Sequence, residues 1–415
     1  MLFKINNIGK IQEAEIEVNG ITVIAGHNNT GKSTYGKILY CMFNAFCDAQ
    51  AAIHRERRKN IKDFVHAVTR FRYGNIRAED LIQVIINDII DHQSSKEEIR
   101  TLLEGAIDDK IPIVDKTKDA AIDFLVEKIV RAGEVTDEQI QRIILTRFLR
   151  SEFGNQINHV NHAEETGIVS LTIDGKTLSA SIKNNECTDF SDNAGIINNV
   201  LYIDTPFILD ENEYGYFLIE EYGHRQHLRE SLSQSSDGMS AVDEILAKQR
   251  LQRILLNIRN VINGEFQQVE GDWMFQENGL NEPLGMFSLS TGMKPFLIIK
   301  RLMEAGEIKE HSVLVFDEPE IHLHPEWQLK YAELLVLLQK EYNLTILLTT
   351  HSPYFLNAIE VYSKKNNISA RCNYYLTDTQ GDIGTIEDVT ENIDLVYQKL
   401  ARPFQELENL RYKED

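Results

Sequence analysis

The chain has no apolar run approaching the roughly 18 to 20 residues that a membrane-crossing helix needs, and its first residues, MLFKINNIGK, lack the apolar core of a signal peptide. A cytoplasmic location with no membrane partner is the expectation. Cysteine is scarce: Cys41, Cys47, Cys187 and Cys372 form no CxxC pair, so neither a zinc site nor a disulfide framework is suggested. Sustained apolar heptads are missing, which excludes a long coiled-coil arm, and there is no internal repeat or low-complexity tract. Positive charge is also short, with 43 Lys and Arg against 64 Asp and Glu, a formal net charge of −21. That excludes a protein coating nucleic acid over its whole surface and leaves room only for a local basic patch.

What is present is an ordinary globular composition: 415 residues, 42% hydrophobic and 26% charged, enough for one large domain with an insertion or for two domains. The opening FKINNIGKIQEAEIEVNGITVIAG alternates apolar and polar residues and reads as edge strands feeding one buried strand at Ile21 to Ala25. GHNNTGKST and the helical YGKILYCMF follow. From about residue 46 to 165 the pattern becomes helical, with capping boxes at Ser95/Glu98 and Thr136/Gln139. IVSLTIDGKTLSASIK alternates with period two about Asp174-Gly175, a hairpin signal. NNVLYIDTPF supplies a buried strand at Val200 to Ile203. A helix follows, capped by Ser240 and Asp243 and carrying Ile245, Leu246, Ile254, Leu255 and Ile258 on one face, with Gly264 as a stop. SVLVFDEPE and LTILLTTHSP are apolar strands separated by the amphipathic EWQLKYAELLVLLQKEY, the strand, helix, strand order of a parallel sheet. The core is therefore α/β. The tail, ENIDLVYQKLARPFQELENL, is helical in pattern with a break near Pro403, and Leu395, Leu400, Phe404 and Leu407 form a candidate apolar strip.

Gly26-His27-Asn28-Asn29-Thr30-Gly31-Lys32-Ser33 matches GxxxxGK[ST] between a strand and a helix, where that chemistry needs it. Backbone N–H groups curl around phosphates, Lys32 reaches the β and γ phosphates, and the Ser33 hydroxyl joins a Mg²⁺ shell. A chance glycine turn would not arrive with this context. Val313 to Phe316 end in Asp317-Glu318-Pro319, the form of an acidic strand end whose first carboxylate faces a magnesium ion. The adjacent Glu318 is placed to polarise an attacking water, which favours hydrolysis over binding alone; a solvated acidic turn is the bland alternative. His351 follows the next strand. A lone histidine is usually structural, but ligands bind along the carboxyl edge of parallel strands, so His351 is a candidate γ-phosphate contact. His322 and His324 lack a clear third ligand and read as a loop after the acidic motif. Ser290 and Gly292 in FSLSTGMKPF precede the helix KPFLIIKRLMEAG and offer a hydroxyl and N–H groups for an anion; a plain N-cap would look the same.

The four motifs in this order resemble the ATP-binding-cassette ATPase head, and more the RecF, SMC and OLD-nuclease branch than transporter cassettes. The resemblance covers residues 1 to 45 and about 166 to 390 and implies an α/β, ABC-type P-loop ATPase head with a small antiparallel β subdomain and a helical insertion. The implied divisions are an N-terminal lobe with the P-loop at 1–45, the insertion at 46–165, the rest of the head at 166–390 and a helical tail at 391–415. It implies ATP and Mg²⁺ as cofactors. Gly26, Asn28, Asn29, Thr30, Gly31, Lys32, Ser33 and Thr34 then bind nucleotide, Ser33 and Asp317 hold the metal, Glu318 is the base and His351 the switch histidine. Ser290 and Gly292 act in trans on the ATP of a second copy, so a homodimer or higher homo-oligomer is expected. Here the signature reads STG rather than SGG, and the glutamine that usually senses Mg²⁺ is unassigned.

DEPEIHLHPEWQ and TTHSPYFLNAIE look like ATPases of that branch found in antiphage defence. Only 64 residues follow His351, and Asp378 and Asp382 are not spaced as DxD, so the nuclease domain of the OLD type is not expected. The expectation is an ATPase subunit, resembling those of Septu, retron-associated or PARIS systems, that regulates a separately encoded effector nuclease or toxin. The alternative is a RecF-like DNA-repair ATPase that clamps DNA, with Arg55, Arg57, Arg58, Lys59, Arg70 and Arg72 as phosphate contacts. A scaffold that binds ATP without turnover is disfavoured by Glu318, and a transporter cassette by the missing membrane segment.

Overall fold

Three short runs with no charged residue before the terminal Asp317, ITVIAG, VLVFD and TILLTT, set the centre of the protein, because strands covered on both faces are mostly apolar and carry few groups that need water. A computed structural model describes residues 1–68, 95–106, 117–210, 222–234, 241–258, 261–269, 272–381 and 383–411. The strands are β1 (Leu2–Ile8), β2 (Ile11–Glu17), β3 (Ile21–Gly26), β4 (Gly167–Ile173), β5 (Lys176–Lys183), β6 (Glu186–Asp192), β7 (Val200–Ile203), β8 (Gly264–Val269), β9 (Asp272–Glu277), β10 (Leu284–Gly285), β11 (Val313–Asp317), β12 (Thr345–Thr350), β13 (Cys372–Gln380) and β14 (Ile383–Asp388). The helices are α1 (Lys32–Phe46), α2 (Ala49–Val68), α3 (Lys96–Ala106), α4 (Lys118–Gly133), α5 (Asp137–Phe153), α6 (His224–Ser233), α7 (Ala241–Ile258), α8 (Lys294–Glu304), α9 (Pro325–Tyr342), α10 (Pro353–Lys365) and α11 (Asp394–Arg411). The α/β class read from the sequence is the class observed.

Eleven strands share one sheet in the order β6-β5-β4-β1-β2-β14-β13-β3-β12-β11-β7, and β10-β9-β8 form a second. From β13 to β7 every pair is parallel. Register aligns their carboxyl ends: Thr377 lies opposite Gly26, Ala25 opposite Thr350, Thr349 opposite Asp317, and Phe316 opposite Ile203. The expectation that β1 and β2 are edge strands is corrected. They lie inside the sheet between β4 and β14, and the edges are β6 and β7. The alternation in IQEAEIE reports burial on one face only, which an interior antiparallel strand shows as readily as an edge. The hairpin about Asp174-Gly175 is present as β4 and β5, and it continues the main sheet through β1.

The chain divides into two compact units, one of Met1–Cys47 with Leu145–Asp415 and one of Asp48–Ile144. The smaller has its own core, including Ile61, Ile99, Leu103, Leu125 and Ile129. Both capping boxes form. Ser95 N–H donates to Glu98 Oε2 at 2.7 Å while Glu98 N–H donates to Ser95 Oγ at 3.3 Å, and Thr136 and Gln139 exchange bonds of 2.9 and 3.2 Å. Each box is worth about 1 kcal/mol at a helix start. In the candidate basic patch, Arg57 is engaged within its unit by the Val135 carbonyl and Asp137, both at 2.7 Å, while Arg70 and Arg72 lie outside the described residues.

Two further readings change. Gly264 opens β8 rather than stopping a helix, and α7 ends at Ile258; Ser240 lies outside the described residues. On α11, Val396 and Leu400 are buried and Leu395 packs on the same core, so only Leu407 of the described strip residues is exposed. The strip's first half is core because α11 lies across α10 and β3. No described helix is long and apolar enough to cross a membrane.

Candidate functional site

The glycine loop leaves β3 at Gly26, where an added Cβ would lie 2.2 Å from Thr377 Oγ1 and 2.7 Å from the Thr377 carbonyl. No other residue fits so close to a neighbouring strand. Gly31, with φ +89°, makes the left-handed turn into α1, and Thr34 N–H closes that turn on the Gly31 carbonyl at 3.0 Å. Thr30 is buried and its hydroxyl bonds the His27 carbonyl at 2.9 Å and Thr377 Oγ1 at 2.7 Å. Asn28 and Asn29 are exposed at the loop tip, Asn29 in the left-handed region and accepting from Lys10 Nζ at 2.7 Å.

Lys32 is buried and its ammonium donates to the His27 carbonyl at 2.8 Å, folding the side chain back under the loop. It also lies 3.3 Å from Glu318 Oε1. One helical residue on, Ser33 Oγ donates to Asp317 Oδ1 at 3.1 Å. A hydroxyl and a carboxylate at this separation are hard oxygen donors suited to Mg²⁺. Ser33 and Asp317 would therefore hold the ion that the motif implies.

Glu318 sits in the left-handed region at φ +49°, a conformation that costs a non-glycine residue about 1 to 2 kcal/mol. Its N–H compensates with bonds to Thr349 O at 3.2 Å and Thr349 Oγ1 at 3.0 Å. The turn aims the carboxylate at the Lys32 ammonium and at the His351 ring, whose Nδ1 is 3.3 Å from Oε2. The His351 hydrogen bond, and then the Lys32 charge, hold Glu318 below the usual carboxylate range against the opposing effect of burial. The same contact raises the His351 pKa. Lys32, Ser33, Asp317, Glu318 and His351 are thus one connected group.

Ser290 and Gly292 are not tied into it. Ser290 is exposed, its carbonyl accepts from Met293 N–H at 3.0 Å, and its hydroxyl bonds no described residue. It is not an N-cap, since α8 begins after Met293 with no side-chain cap. An added Cβ on Gly292 would meet the Trp327 ring at 3.2 Å and the His322 carbonyl at 3.4 Å. Behind the loop, buried Lys294 donates to both oxygens of Asp210 at 2.6 and 2.7 Å. His324 caps α9 by accepting from Glu326 N–H at 3.4 Å, and His322 packs edge-on to Phe207. Among the described residues no His, Cys, Asp and Glu cluster could hold a metal ion by itself.

Several contributors carry no motif. Thr349 Oγ1 and Tyr202 OH both donate to Asp317. Glu320 is buried to 2% exposure and accepts from Thr350 Oγ1 and the His351 N–H, which pins the end of β12; burial raises its pKa. Further in, His224 lies between Glu152 (2.8 Å) and Asp204 (3.2 Å). Burial opposes its protonation, but hydrogen bonds and charge from both carboxylates outweigh that and raise its pKa to about 9. The alternation of NNVLYID gives Tyr202 an inward face, but nothing in it marks Asp317 as its partner.

A strand, a glycine loop with a buried lysine at the helix start, and an acidic strand end beside it define a P-loop nucleotide-binding fold. The chain belongs to the AAA_15 family, described as the AAA ATPase domain, whose model matches residues 1–356. No curated protein matches it. Among solved structures it is similar to the SMC head domain from Thermotoga maritima (11% identity, 94% of this chain and 98% of that one, TM-score 0.41). It is also similar to an SmcHead bound to the C-winged helix domain of ScpA (10%, 95% and 98%, 0.42). A third is an Smc head domain with an extended coiled coil, bound to the C-terminal domain of ScpA derived from Pyrococcus furiosus (9%, 99% and 98%, 0.42).

Proposed function

We propose that this ATPase domain binds Mg²⁺·ATP at residues 26–34 and hydrolyses it with Glu318 as the base. The observation that carries the reading is the convergence of Lys32 and His351 on Glu318, one residue past the carboxylate that bonds Ser33. Mg²⁺ supplies charge neutralisation at the phosphates. Paired with the Lys32 ammonium and the His351 ring, which lower its pKa, Glu318 is a weakened base. When Lys32 turns from it to the phosphates, Glu318 loses one cationic partner and its basicity rises toward that of a free carboxylate. The side chain that senses nucleotide is the one that restrains the base beforehand.

The exposed Ser290 hydroxyl and the N–H groups of residues 291 and 292 serve the ATP of a second copy, so the protein dimerises around nucleotide. The dimer regulates a separately encoded effector, a nuclease or toxin, in antiphage defence; that part rests on the resemblance of DEPEIHLHPEWQ and TTHSPYFLNAIE to defence ATPases. Two arrangements of the dimer with different affinity for the effector suffice to hold or release it. The test measures phosphate release and sedimentation of the purified chain with and without Mg²⁺·ATP, then co-purification with the product of the neighbouring gene. A monomer at saturating ATP with full turnover removes the dimer, and a chain that releases no phosphate removes the enzyme.

A further inference from the structure

Tyr202 is the third residue of β7, paired in register with Val315, two residues short of Asp317 on β11. Alternation puts Tyr202, Val315 and Asp317 on one face of the sheet. The phenol is 1% exposed and its hydroxyl donates to Asp317 Oδ2 at 2.8 Å. Ser33 and Thr349 both donate to the other oxygen, Oδ1, so Tyr202 is the one described residue bonded to Oδ2. An aspartate carboxyl torsion is broad and two-fold, and a bond to one oxygen is what selects a single orientation.

The ring is placed by its surroundings. Gly36, one turn into α1, would carry a Cβ 2.8 Å from Tyr202 Cε2 and 2.6 Å from Val315 Cγ1, so its bareness makes room for the phenol. The His224 ring lies 4.5 Å away, and Tyr40 meets the phenol edge-on at 6.4 Å. His224 is held in turn by Glu152 and Asp204.

We propose that Tyr202 is a positioning residue for Asp317, fixing the carboxylate so that Oδ1 stays beside Ser33, where the divalent cation binds. The proposal rests on the reading of the site as a Mg²⁺·ATP site.

The experiment compares wild type, Tyr202→Phe and Gly36→Ala as full-length chains. It measures affinity for a fluorescent ATP analogue in EDTA and across a Mg²⁺ titration, Mn²⁺ occupancy by electron paramagnetic resonance, and thermal melting. Losing one hydrogen bond to a charged group should raise the Mg²⁺ midpoint about 10-fold in Tyr202→Phe, with weaker Mn²⁺ binding and unchanged affinity in EDTA. Gly36→Ala, which displaces the ring, should shift the midpoint in the same direction. A Tyr202→Phe midpoint within about twofold of wild type overturns the proposal, as does an equal loss in EDTA, which is what a general packing role would give. A wild type that binds no nucleotide in either buffer overturns the nucleotide reading and this proposal with it, whereas normal wild-type binding beside an unchanged variant overturns this proposal alone.

Discussion

The glycine loop and the loop at residues 290–293 both read as phosphate sites in the sequence, yet the structure surrounds them in opposite ways. Around the first, the functional side chains already hold one another: Lys32 with Glu318, Ser33 with Asp317, His351 with Glu318. Around the second, the polar group is exposed and what surrounds it is packing, Gly292 on Trp327 and Lys294 sealed by Asp210. A self-satisfied cluster must exchange partners when ligand arrives and can therefore respond to it. An open hydroxyl on a rigid mount has nothing to exchange and is suited to presenting one fixed contact.

Breaking each side should give a different phenotype. Glu318→Gln should slow hydrolysis by about 10² to 10⁴ while Mg²⁺·ATP still binds, measured as phosphate release beside equilibrium nucleotide binding. Near-normal turnover would move the base elsewhere. Asp210→Ala leaves buried Lys294 without its partner and should cost about 3 to 5 kcal/mol in denaturant unfolding, an effect on the mount that needs no nucleotide. Ser290→Arg should reduce turnover by about 10² with unfolding and single-copy nucleotide binding unchanged, since the hydroxyl contributes nothing to the isolated fold. If it destabilises the chain instead, the two loops are alike after all.

The smallest effect concerns pH. His224 has its folded pKa raised to about 9 from an ordinary 6.5, so its contribution to stability is fully present below about 6.5 and is lost as pH climbs through 9. The expected loss is on the order of 2 kcal/mol after discounting for the part of the ring open to solvent. His224→Gln should flatten the stability profile between pH 6.5 and 9.5 in denaturant melts. Parallel profiles for wild type and variant would show that the histidine is not charged in the fold.

How much of this could be read from the sequence divides along chain separation. Gly26 to Ser33 and Asp317-Glu318 are local patterns whose chemistry requires adjacent residues, and they lie at the carboxyl ends of two parallel strands, β3 and β11, that flank β12. The capping boxes are local too, and both form. Tyr202, Thr349 and Glu320 act on partners far away in sequence or through a buried bond, and a tyrosine in VLYI or a threonine in LTTHS looks like ordinary strand. The positions of β1 and β2 were misread because alternation reports which face is wet and says nothing of which strand lies alongside. The helical tail was legible as a helix but not as core, since only its contacts with α10 and β3 distinguish a covered strip from an open one.

The seat of Gly292 has a mechanical consequence. Its backbone rests on the Trp327 ring and the His322 carbonyl, and His322 is four residues beyond Glu318 on the same strand exit. The 290–293 loop is therefore packed on the segment that leaves β11 and carries Glu318. Glu318 and the 290–293 loop thus share one support, and a substitution that displaces the segment between Glu318 and Trp327 would be felt at both.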